Sequence, residues 1–159
     1  MGIYRISRNI EASIIDYLKS EFITDWGSNK VEKTFTRIYD IELPSICIRV
    51  GNTNHNWAEI GERSTIRESQ VLIDIFANSD GQRLDIKDWL INKVKNGFVY
   101  YDYIINDGIV QTKTSNGRIR VINIEDTPIN FDTDKNELDV HDRFRHLITL
   151  TISLGRIET

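Results

Sequence analysis

The chain has 159 residues, 40% hydrophobic and 28% charged, with a formal net charge of -4; this is one domain's worth of an ordinary globule, large enough to bury a core without disulfide or metal. Cys47 is the single cysteine, which excludes an intrachain disulfide and a four-thiolate zinc site. Seven acids between Glu125 and Asp142 face Lys135 alone, a local net of -6 that leaves +2 elsewhere, and with no dense Lys/Arg block the footprint expected of a duplex binder is missing.

At 100° per residue Ile3, Ile6, Ile10, Ile14, Tyr17 and Leu18 share one stripe, so the chain is expected to open on an amphipathic helix, with Ser7 able to cap a shorter version and Asp25 to Asn29 breaking it. The same segment lacks the uninterrupted apolar core of a signal peptide, and no eighteen apolar residues run together anywhere. Neither export by that route nor a membrane-spanning helix is expected.

Val31 to Ile38 alternates as an edge strand, and Pro44 opens a second in which Ile46, Ile48 and Val50 oppose Cys47 and Arg49. GNTNHN, residues 51–56, reads as a turn, and Trp57 to Arg67 as the outer arm of a long hairpin or a mobile loop. In the strand that follows, Val71, Ile73, Ile75 and Ala77 form one face and Leu72, Asp74 and Phe76 the other. Ser79 or Asp80 caps a second helix with Leu84, Ile86, Leu90, Ile91, Val94 and Phe98 as its buried stripe, ended by Gly97.

Tyr100 to Ile105, Ile109 to Thr114 and Arg118 to Ile124 read as a three-strand meander. Its second turn is placed at Asn116-Gly117, because Asn-Gly between alternating runs favours a type I′ turn. After the acidic segment His146, Ile148, Leu150, Ile152 and Leu154 alternate with Leu147, Thr149, Thr151 and Ser153 in a one-sided strand. The order implies a single α+β domain over residues 1–159: a mainly antiparallel sheet with two helices on one face, plus a long β-hairpin or meander. The other face mixes Arg49, Asp74, Thr149 and Thr151 with Leu72, Phe76 and Leu147, for which partner subunits are the simplest cover.

The sharpest enzymatic reading is a metal-dependent nuclease built on Asp74, Asp85 and Lys87. Against it, Asp85 and Lys87 fall on the second helix about 200° apart and so point to opposite sides. Asp132-x-Asp134-x-Asn136 begins like a calcium loop but has Glu137 where Gly is needed and Arg143 where a bidentate Glu is needed. His141 and His146 lie an odd number apart, unsuited to a joint zinc site on one strand face, and no nucleophile elbow or Gly-rich phosphate loop occurs. Tyr101 and Tyr103 lack the basic row a nucleic-acid stacking platform requires. No catalytic residue, cofactor or metal is therefore expected.

In element order the chain resembles the tail terminator and neck (tail-completion) proteins of tailed bacteriophages. The resemblance runs from the N-terminal helix through LPSICIRVG and QVLIDIFANSDGQRLDIKDWL to DTPINFDTD and the final FRHLITLTISL, most of residues 3–154. It implies a non-catalytic virion protein, assembled in the host bacterium, that closes with copies of itself into a ring, commonly a hexamer. The ring would cap the tail tube and meet the head connector, with DNA touching it only in passage. A heterologous ring needs two complementary patches. Asp132, Asp134 and Glu137 of the acidic segment, with Arg49, Arg63, Arg67, Arg143 and Arg145, are the candidate halves, and Asp74 is placed on the face that meets a neighbour or the lumen. A monomeric adaptor that takes a peptide at a sheet edge is the remaining alternative.

Overall fold

The computed structural model describes residues 5–28, 30–33, 39–61 and 63–158. The expected place of Ile3 on the first helix and the expected strand over residues 34–38 lie outside them.

Helix α1 (Ile6–Trp26) buries Ile10, Ile14, Leu18 and Phe22, one residue per turn, and ends on Gly27 in the left-handed conformation, its amide 3.1 Å from the Ile23 carbonyl. Among the described residues no side chain caps its start. Ser7 instead accepts a bond from the Arg67 guanidinium at 2.8 Å. Strand β1 (Val31–Glu32) pairs in parallel with Ile46 and Cys47 of β2 (Ser45–Trp57).

The expected turn at residues 51–56 is strand. β2 passes a bulge between Val50 and Thr53 and pairs with β3 (Thr65–Phe76) as far as Trp57↔Thr65, so the hairpin arm is present and its connection is Ala58 to Ser64. Helix α2 (Asp80–Val94) is capped by Ser79, whose hydroxyl accepts from the Gln82 amide at 3.2 Å, and buries Ile86, Leu90 and Val94; Leu84, expected inside, is exposed. At Gly97, which follows the helix with positive φ, any Cβ would collide with the Ile119 carbonyl.

The meander is one hairpin rather than two. Strand β4 (Phe98–Asn106) turns through Asp107 and Gly108, both at positive φ, into a single 21-residue strand β5 (Ile109–Ile129). Between the pairs Tyr101↔Ser115 and Val99↔Arg118 one extra residue of β5 is accommodated, so Asn116-Gly117 is a bulge and not a turn. β5 pairs with β4 as far as Ile119 and from Arg120 onward with β6 (Arg145–Glu158).

The sheet order is β1-β2-β3-β6-β5-β4, antiparallel except for β1 with β2. The chain is thus an α+β domain, both helices packing on the same inner face over Ile46, Ile48, Val71, Ile73, Ile148 and Leu150. Phe22 and Trp89 meet at 5.5 Å where the helices touch. Each fully buried Ile or Leu contributes roughly 1.5–3 kcal/mol. Among the described residues no helix is long and apolar enough to cross a membrane.

Candidate functional site: the charged end of the second sheet face

The face turned away from the helices divides along its length. Toward the start of β6, Ile41 and Leu43 pack on Cys47 and Phe76, so residues 39–43 form a strap over this end of the face. Burial under it pushes the Cys47 thiol up to about 11, with the nearby Asp74 charge adding to the effect. The chain's own strap thus covers part of the face for which partner subunits were the expected cover.

Asp74 lies beside Cys47 across the ladder and is 1% exposed. Its Oδ1 accepts from the Arg145 guanidinium at 3.2 Å, which also reaches Asp142 at 3.6 Å and stacks 5.1 Å over the Phe76 ring. The Tyr39 hydroxyl donates to Asp142 at 3.2 Å. On the short helix α3 (Val140–Arg143) the buried His141 ring has Asp139 2.7 Å from Nδ1 and the Ile41 carbonyl 2.7 Å from Nε2. These contacts knit strap, acidic loop and β6 together.

On the helix-covered side the buried His146 lies between Arg83, 2.6 Å from Nδ1, and Asp126, 3.0 Å from Nε2. An arginine can only donate, so Nδ1 is the acceptor and Nε2 carries the proton given to Asp126. Burial is the largest cause that lowers the basicity of this ring; the Asp126 bond opposes it and the Arg83 charge adds to it.

The candidate interface residues separate into two groups. Asp132, Asp134 and Glu137 are exposed in the acidic loop, and Arg49 and Arg63 are exposed on β2 and on the β2–β3 connection, Arg49 with an interaction of its own within the chain. Arg67, Arg143, Arg145 and Asp74 are committed within the chain: Arg67 to Glu158 at 3.2 Å and to Ser7, Arg143 to the Leu138 carbonyl at 3.2 Å, and Arg145 to Asp74. Arg143 thereby braces its own acidic loop.

The nuclease set is not brought together. Asp74 points to the strap side, whereas Asp85 is exposed on α2 across the sheet and Lys87 pairs with Asp88 at 3.3 Å. Among the described residues no group of three or more His, Cys, Asp or Glu side chains is placed to hold a metal ion.

Sequence reasoning overlooked the apolar tips of the arms. Trp57 is 69% exposed, with Ile60 exposed in the connection that follows it; Ile157 is exposed on the opposite face of the same arm, and Ile104, Ile109 and Val110 are exposed at the β4–β5 turn. The signal was the presence of large apolar residues in segments otherwise polar enough to read as loops. No family model and no curated protein matches this sequence, so what the chain does has to be read from its own residues.

Proposed function

We propose that the chain is a structural protein of a bacteriophage tail or neck that closes with its own copies into a ring, hexameric by the resemblance, between the tail tube and the head connector. The observation that carries this reading is the overhang of the sheet beyond its helices. The β2–β3 arm ends in Trp57 and Ile60; the β4–β5 arm ends in Ile104, Ile109 and Val110. Two different apolar patches on one chain suit head-to-tail closure, in which the contacting surfaces are not the same patch. The exposed Arg63 and the exposed acidic loop supply rim charges for the same contact. The subunit has no catalytic role in this reading, and a weakly charged lumen lets DNA slide without a phosphate grip.

A second reading has one observation in its favour. β1 covers β2 only at Ile46 and Cys47, so among the described residues nothing pairs with the outer edge of β2 from Gly51 to Trp57, where a monomeric adaptor would take an extended peptide. Light scattering over a concentration series separates the two. The ring predicts one closed multiple of the 18.5 kDa subunit; a monomer at every concentration counts against it.

A further inference from the structure

His141 and His146 are both buried, yet their surroundings ask for opposite charge. His146 meets a donor on one side and an acceptor on the other, which a neutral ring satisfies. His141 meets acceptors on both sides, the Asp139 carboxylate and the Ile41 carbonyl, each at 2.7 Å. A neutral imidazole has one N–H, so it bonds one of these and turns a lone pair on the other. Nor can either acceptor change its role. A backbone carbonyl has no proton to give, and the Asp139 carboxyl is held below its usual range, first by the His141 amide and then by the ring itself. The imidazolium alone fills both positions.

We propose that His141 is a proton-operated clasp: as the imidazolium it ties residues 39–43 across the second sheet face, and on losing a proton it loosens that hold, so that Cys47 and Phe76 are uncovered more often. The groups around the ring fit this sense. On its own segment stand Asp139, Asp142 and Arg143. From the strap come Tyr39, whose ring stands edge-on at 5.7 Å while its hydroxyl bonds Asp142, and Glu42, which shares with His141 the lining of an open hollow of about 400 Å³. From β6 comes Arg145, paired with Asp142 and Asp74. Neither cation stands between the ring and its two acceptors: Arg143 bonds the Leu138 and Asn136 carbonyls, and Arg145 is held by its acids. When the ring is neutral it keeps at most one of its two bonds, without the help of its charge, and turns a lone pair on the other acceptor, so the hold on Ile41 and Leu43 over Cys47 weakens.

Cys47, the only thiol, reports the state of the strap. Its rate of reaction with an uncharged maleimide is measured on the whole chain between about pH 5.5 and about pH 7.5, below the ordinary thiol value of about 8.5, where folded and unfolded thiols gain thiolate in the same proportion. Each rate is divided by that of the urea-unfolded chain at the same pH, so that thiol ionisation divides out, and the His141 ring is titrated in parallel by NMR. Protection of Cys47 should fall by about tenfold to a hundredfold as pH rises, the weight of one charge-assisted hydrogen bond, with a midpoint that matches His141 and neither His55 nor His146. In His141→Gln protection should be low and independent of pH. Protection that stays flat while His141 titrates overturns the clasp, as does a His141→Gln protein with the parent's pH dependence. If that variant does not fold, the two parental curves still decide.

Discussion

At the scale of single residues, the depressed basicity of His146 makes a prediction with a definite sign. The unfolded chain takes up this proton near pH 6.5 whereas the folded one resists it to lower pH. Between those two values the unfolded state binds more protons, so the contribution of His146 is complete above about pH 6.5 and is lost as pH falls through the folded value. His146→Gln should therefore flatten the acid side of the stability curve, read as urea midpoints of variant and parent between about pH 5 and about pH 7.5. Identical slopes would show that the ring titrates alike in both states. Arg145 offers a test that does not involve protons. Arg145→Met leaves Asp74 buried as an anion without its guanidinium, at an expected cost of about 3–5 kcal/mol in urea unfolding. Adding Asp74→Asn should recover part of that loss, and a single-variant cost near zero would mean that water reaches the carboxylate. In the sequence this pair was not legible, since Asp74 and Arg145 lie 71 positions apart and meet only through the β3–β6 register.

At the scale of elements, the reading of strands and helices succeeded where burial imposes a period and failed where turn chemistry stood alone. The four-residue spacing of Ile10, Ile14, Leu18 and Phe22 and the alternation of Ile148, Leu150 and Ile152 are direct consequences of facing one core, so they were visible without coordinates. Asn116-Gly117 misled because the positive φ of Gly117 serves a bulge as well as a turn; local sequence cannot tell which, and the long β5 strand decides it by pairing on both sides of the dipeptide. GNTNHN misled for the converse reason: its backbone bonds to β3 make it strand although its side chains are polar and exposed. Gly97 is where element geometry leaves least freedom. Gly97→Ala must fit a Cβ against the Ile119 carbonyl at positive φ, so a loss of about 1–3 kcal/mol is expected from thermal or urea unfolding. Gly81→Ala, in the first turn of α2 with open space at its Cβ, should be neutral or stabilising and serves as the control.

At the scale of the whole molecule, the arm tips and the acidic loop carry the proposed assembly. Trp57→Asp with Ile60→Asp should reduce the ring to monomers while leaving the circular dichroism spectrum and urea midpoint within about 0.5 kcal/mol of the parent, since surface positions bear little on the core. Reversing Asp132, Asp134 and Glu137 to lysine should weaken assembly mainly at low salt, because exposed charges are screened over about 8 Å at physiological ionic strength. Sedimentation at two ionic strengths reads both; a ring indifferent to all five changes places the contact elsewhere on the subunit. The position of β6 has a further consequence, for biosynthesis. It stands between β3 and β5, so the β2–β3 and β4–β5 hairpins are made first and each waits with an inner edge unpaired. Until residues 145–158 leave the ribosomal tunnel the nascent chain is two half-sheets with sticky margins, the condition in which strands from neighbouring ribosomes join wrongly. The sheet is thus completed last at its middle, and whatever shields those two margins in the interval protects the nascent chain from mispairing.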